Sequence, residues 1–251
     1  MANRITIKSK DELNTMRRAG ALLREVMEEV IGHVRPGVTT GELDRVARHE
    51  IERRGAIPAF LGLYDFPGSL CISINEEIVH GIPGKRVLVE GDIASLDLGL
   101  ILDGYYADMA RTVPVGRADE VSNRLIQVTG EALEIGIEFL RPGLRMGDLS
   151  AAVQAHVERN GFAVVRDYTG HGIGRRPHED PKIPNYGEPG RGVRWQVGMV
   201  VCIEPMVNVG TYQTLLREDR WTVVTADGSR SAHMEDTIAV TEDGPWVLTA
   251  P

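Results

Sequence analysis

Cysteine is scarce in this chain of 251 residues: Cys71 and Cys202 are the two it has. They form neither a CxxC pair nor a zinc-finger spacing, so a disulfide scaffold and a thiolate metal centre are not indicated. Both read as small buried apolar residues in a reducing compartment. Long apolar runs are missing too. No uncharged stretch approaches the ~20 residues that span a bilayer. The N-terminus carries Lys8, Lys10, Asp11 and Glu12 where a secretory signal needs an apolar run. The expectation is a soluble, cytoplasmic protein without membrane contact. Net positive charge is also lacking: 28 Lys and Arg against 36 Asp and Glu leave −8. Such a surface does not, as a whole, attract nucleic acid. No coiled-coil stripe demands a partner, so a monomer is expected. What is present is globular in balance, with 42% hydrophobic and 25% charged residues.

The chain repeats itself. Residues 35–55 read RPGVTTGELDRVARHEIERRG and residues 141–161 read RPGLRMGDLSAAVQAHVERNG. Arg35/Arg141, Pro36/Pro142, Gly37/Gly143, Gly41/Gly147, Leu43/Leu149, Glu52/Glu158, Arg53/Arg159 and Gly55/Gly161 are identical pairs. Each copy reads as a helix, a Pro-Gly turn and a second helix closed by a C-terminal glycine. Ser9 and Glu12 form a capping box for the first helix, and Leu13, Met16, Leu22, Leu23, Val26 and Val30 follow at helical spacing. The equivalent helix of the second copy runs from about Glu120 to Leu140. Strand-rich segments follow each pair, at 91–113, 198–210 and 232–240. Duplication predicts an α+β fold: two α-α-β-β halves, about 9–113 and 119–240, related by a pseudo-twofold axis. Helices would cover one face of a curved antiparallel sheet, making one domain of residues 1–251.

Each half supplies acids flanked by apolar residues. Asp97 lies six residues after Gly91, and Glu204 six after Gly198. A second acid follows in a later strand of each half, Asp108 and Glu235. Two carboxylates ~4 Å apart repel by about 4 kcal/mol at an effective dielectric of ~20. Four converging carboxylates must therefore protonate, pair with cations or bind metal. An oxygen-rich set suits Mg, Mn, Fe(II), Co or Zn rather than a soft metal. His171 stands between glycines in TGHGIGR, His178 follows in PHEDP, and His80 sits in VHGIP. The echo of HGIP in HGIG fits the duplication, and three histidines in irregular loops beside an acid cluster point to chemistry.

At these residues the sequence resembles the type I methionine aminopeptidases, through SINEEIVHGIP (73–83), GDIASLDL (91–98), DGYYADMARTV (103–113), GHGIGRRPHEDP (170–181), VCIEPM (201–206) and MEDTI (234–238). The resemblance runs in order along nearly the whole chain. It implies the pita-bread fold. It also implies two divalent metal ions, of Fe(II), Mn, Co or Zn, held by Asp97, Asp108, His171, Glu204 and Glu235. Asp108 and Glu235 would bridge them. Glu204 is implied as proton shuttle, and His80 and His178 as contacts to the scissile peptide. The substrate implied is the N-terminal methionine of nascent chains with a small second residue, and the ribosome is a candidate partner.

The resemblance further assigns the methionine pocket to Phe60, Leu63, Phe66, Cys71, His80, His178 and Trp221. Many bacterial members carry Cys at position 60, Tyr at 63 and 66, and Phe at 177, which is Pro here. The pocket's shape is therefore this chain's own. One alternative is an Xaa-Pro aminopeptidase or prolidase, which uses a similar ligand set but generally adds an N-terminal domain. About 70 residues precede the signature here. Another is a non-catalytic peptide-binding module on the same fold; such relatives lose ligands, and here all five are present.

Overall fold

A computed structural model describes residues 5–251. Four helices carry the duplicated pattern: α1 (Lys10–Gly32), α2 (Thr40–Arg53), α3 (Glu120–Glu138) and α4 (Met146–Arg159). The Ser9–Glu12 capping box closes the start of α1 in both directions, and Thr39 with Glu42 does the same for α2. Asp119 caps α3 by accepting from the Ser122 amide. At α4 the Asp148 carboxylate accepts from the Arg145 amide at 2.8 Å, so an acid inside the first turn does the capping. Gly55 and Gly161 follow the second helix of each half with φ of +76° and +81°, a conformation that closes a helix without a Cβ clash.

Each helix pair covers its own core. Leu23, Val26, Met27 and Val30 of α1 and Leu43, Ala47 and Ile51 of α2 pack against Ile72, Ile74, Leu96, Leu98 and Leu100. Leu125, Val128, Leu133, Leu149, Val153 and Val157 pack likewise against Val201, Ile203, Ile238 and Val240. Each fully buried Leu, Ile, Val or Met side chain among them contributes about 1.5–3 kcal/mol. The strands are antiparallel throughout. In the first half, Ile93–Leu102 is flanked by Leu70–Ile74 and pairs along its whole length with Tyr105–Pro114. In the second, the order is Gly244–Val247, Asp236–Thr241, Val200–Ile203, Gly170–Gly172, Glu179–Ile183.

The strand-rich segments expected in the second half each resolve into two short strands. Residues 198–210 split into Val200–Ile203 and Met206–Asn208, and residues 232–240 into Ser231–His233 and Asp236–Thr241. Glu204 and Glu235 sit in the two gaps. Pro205, which has no amide to donate, ends the first ladder.

Where the halves meet, the hydrogen bonds are themselves twofold. Ala110 and Glu235 exchange both backbone bonds, at 3.2 and 2.9 Å. On one side, the Thr237 hydroxyl accepts from the Asp108 amide at 3.0 Å and donates to the Asp108 carbonyl at 2.8 Å. On the other, the Thr112 hydroxyl accepts from the His233 amide and donates to the His233 carbonyl, both at 2.8 Å. The axis therefore relates Thr112 to Thr237, Ala110 to Glu235, and Asp108 to His233. Two sequence-level pairings are corrected by this. Asp108 and Glu235 are not counterparts. Nor does the histidine echo follow the duplication: Cys202, two residues before Glu204, pairs with His171, whereas Ser95, two before Asp97, pairs with Ser73. Ser73 thus occupies the place of His171, and His80 lies beyond it.

Candidate metal centre and substrate pocket

The five proposed ligands converge. Oxygens of Asp97, Asp108 and Glu235 lie within 4.8 Å of one another, as do donor atoms of Glu204, His233 and Glu235. His171 Nε2 is 3.5 Å from Glu204 Oε1. Asp97 and Asp108 come from paired strands, in which Asp108 faces Gly99 two places from Asp97. His171 reaches the cluster because its neighbours are glycines. A Cβ at Gly170 would lie 2.4 Å from the Cys202 carbonyl oxygen, and one at Gly172 2.2 Å from that of Asp180. Strands with side chains at those places could not close around the imidazole.

Electrostatically the cluster is under load. Burial pushes the Asp97 carboxyl up to about 7. Asp108, Glu204 and Glu235 are driven well above the carboxylate range, first by burial and then by one another's charge and that of Asp97. His171 is pulled down to about 4 by burial and then by the charge of His178, and so stays a neutral donor. Asp97 Oδ1, Asp108 Oδ1 and Glu235 Oε1 are buried with no hydrogen-bond partner among the described residues. Buried oxygens are rarely left so. Four carboxylates and one imidazole, three of their oxygens lacking any donor, fit hard or borderline divalent cations.

His233 was not singled out by the sequence reading. It is 2% exposed, and its Nε2 lies 3.7 Å from Glu235 and 3.8 Å from Glu204, with no hydrogen-bond partner among the described residues. Cys202 also falls within 4.8 Å of His171 and Glu235 donors. Its Sγ contacts the Thr237 hydroxyl at 3.5 Å, and burial holds the thiol far above its usual pKa. It therefore stays a protonated packing residue, as the sequence suggested.

The cluster forms the floor of a cavity of about 330 Å³. One end is apolar, lined by Phe60, Leu63, Phe66, Cys71 and Trp221. Phe66 and Trp221 meet edge to face, with centroids 5.1 Å apart and planes at 71°. His80 and His178 also line the cavity. His178 is solvent-exposed and sets its ring 4.6 Å from that of His171. His80 is held in an unusual backbone state, with φ +60°. The next residue, Gly81, leaves no room for a Cβ, which would lie 2.1 Å from the Ile72 carbonyl oxygen. Its amide donates to the Ser73 hydroxyl at 3.1 Å. Burial and the charge of His178 take the His80 imidazole down to about 4. The structure thus brings every sequence-predicted site residue into this one cavity. It adds Tyr64, Tyr168, Thr169 and Lys182 to the lining, with the Tyr168 ring edge to face on His80 at 5.7 Å.

A buried oxygen-and-imidazole cluster beneath an apolar chamber, on a duplicated α+β scaffold, is the kind of site a metal-dependent hydrolase uses. The profile of metallopeptidase family M24 matches residues 14–242, and the chain belongs to that family. It is 50% identical over 245 residues to a methionine aminopeptidase of Clostridium perfringens, covering 98% of each chain. It is 49% identical to methionine aminopeptidase 1 of Bacillus subtilis, covering 98% of this chain and 99% of that one. The crystal structure of the Rickettsia prowazekii methionine aminopeptidase superposes with a TM-score of 0.97 at 45% identity, over 98% of this chain and all of that one. The prolidase of Pyrococcus furiosus shares the fold, with a TM-score of 0.80 at 24% identity, but this chain covers 65% of it. Among the described residues, no helix is long and apolar enough to cross a membrane.

Proposed function

We propose that the chain removes the N-terminal methionine of peptides and nascent proteins, with a small second residue preferred. The observation that carries this reading is one cavity with a metal-fitting floor and an apolar end. Asp97, Asp108, His171, Glu204 and Glu235 would hold two divalent ions, of Fe(II), Mn, Co or Zn. When bound, the ions would lower the pKa of water at the cluster and polarise the scissile carbonyl.

The remaining work falls to side chains. Phe60, Leu63, Phe66, Cys71 and Trp221 enclose an unbranched, polarisable side chain. The acidic floor attracts the substrate's free α-ammonium, which restricts cleavage to the first residue of a chain. Glu204 takes the proton from the attacking water and delivers it to the leaving amine. His178 is exposed on one side, and desolvation of its ring at the cavity wall lowers its pKa, so it offers an N–H to the carbonyl oxygen as negative charge grows there. His80, fixed by its backbone, meets the peptide nitrogen. The apolar end therefore suits a substrate side chain.

The test is methionine release by the metal-loaded protein from Met-Ala-Ser, with Leu-Ala-Ser, acetyl-Met-Ala-Ser and Ala-Pro-Ser as comparators. Release from Met-Ala-Ser and none from the acetylated peptide is expected. Faster cleavage of Ala-Pro-Ser would overturn the assignment.

A further inference from the structure

The cavity's floor carries four carboxylates, yet among the described residues its lining includes a single Lys or Arg, Lys182. Lys182 lines the cavity and is exposed. It lies on the strand Glu179–Ile183, where it is the register partner of His171. Directly opposed residues of an antiparallel pair project from the same sheet face, so Lys182 points to the side where His171 meets the acids. Lys182 makes no ion pair or side-chain hydrogen bond among the described residues, with either the floor carboxylates or the nearby Asp180. A long cationic side chain without an internal partner thus stands at the mouth of the cavity, in a protein of net charge −8.

Its position matches the path of a substrate. The apolar end takes the first side chain and the floor takes the α-ammonium. The rest of the peptide must leave past the exposed rim, where Tyr64 and Lys182 stand. We propose that Lys182 recognises a carboxylate on the peptide beyond the scissile bond, and so favours substrates that carry one there. This deepens the aminopeptidase reading and rests on it. The carboxylate comes either from an acidic side chain near the third residue or from the C-terminus of a very short peptide.

The metal-loaded full chain is assayed on C-terminally amidated Met-Ala-X-Ser, with X as Glu, Gln or Lys, and on Met-Ala-Ser as free acid and amide. An exposed pair of this kind changes kcat/KM by about two- to five-fold. Wild type is expected to favour Glu over Lys by that factor at low salt, with the preference shrinking at high salt. Lys182→Gln should abolish the preference and Lys182→Glu should reverse it. A preference confined to the free acid supports the same contact and assigns the carboxylate to the chain end. Equal rates across both series, or a preference that survives both substitutions, overturns the proposal. A protein that releases methionine from none of the peptides, the Gln peptide included, overturns the aminopeptidase reading and this proposal with it.

Discussion

Lys8 belongs to no motif, yet the loop that presents His178 hangs on it. Its ammonium lies 2.9 Å from the Glu179 carboxylate, with the two side chains 6% and 5% exposed. Thr6 donates to the same carboxylate oxygen at 2.5 Å, and the Arg175 and Arg176 amides donate to the other at 3.0 and 3.4 Å. Burial works to raise the Glu179 pKa, and the bonds from Thr6 and Lys8 outweigh it, so the group stays ionised. Removing one partner of a buried pair leaves the other charge uncompensated, at a cost of about 3–5 kcal/mol. Glu179 keeps three other donors, so Lys8→Met should sit near the lower end, about 3 kcal/mol. At ~2–4 °C per kcal/mol for a chain of this size, calorimetry should show Tm falling by about 6–12 °C. His178, next to Glu179, should lose its position, lowering kcat more than raising KM. The sign with pH is fixed by the lowered pKa: the pair's stabilisation is present above the ordinary glutamate value and is lost as pH falls through and below it. Wild type and Lys8→Met should therefore converge in acid. Lys8→Met with Glu179→Gln should recover most of the loss. A Tm change under about 2 °C in the single variant would refute the strut.

Further outcomes can be checked alongside. Glu204→Gln should reduce kcat by about 10²–10⁴-fold with the fold intact by circular dichroism; turnover near wild type would remove the proton shuttle. Gly81→Ala should cost about 1–3 kcal/mol by overpacking against the Ile72 carbonyl and should lower kcat by displacing His80, as denaturation and kinetics together would show. Chelation should eliminate activity and make stability fall with rising pH. The raised carboxyls favour the folded state while protonated, and that contribution is lost as pH climbs through the folded pKa of about 7 at Asp97. Restored metal should flatten the dependence, which melting curves across pH would reveal.

The helices were legible because their signals are local: the Ser9 box, the 3.6-residue spacing and the glycines at 55 and 161 each act within a few residues. The metal-fitting acids were legible because an acid between apolar neighbours is an anomaly that only a cation or a proton resolves. His233 was hidden for a geometric reason. Thirteen residues separate Asp97 from Ala110, while 31 separate Glu204 from Glu235. A search at the helical offset therefore misses the pairing of Asp108 with His233. Lys8, Tyr168 and Lys182 carry no pattern of their own, since each acquires meaning from an element distant in sequence. The one available cue for Lys182 was a cation directly within a histidine-and-acid motif. The histidine echo misled because HGI is short, and strand register, not local spelling, decides which residues are equivalent.

The longer second-half interval explains how a symmetric scaffold acquires a directional site. It contains the hairpin Thr214–Leu216 and Val223–Thr225, which pairs across to Glu77–Val79 of the first half. The turn of that hairpin carries Trp221 onto Phe66 and sets its ring 6.4 Å from that of His80. A pure duplication would offer two equivalent mouths on either side of the axis and no preference for which way a peptide lies. The hairpin closes one side into an apolar chamber. At the axis itself, the exchange of Ala110 for Glu235 and of Asp108 for His233 makes the donor set unequal. The metal-fitting floor thus arises at the seam of the repeat, and the direction of the substrate arises from what the repeat does not share.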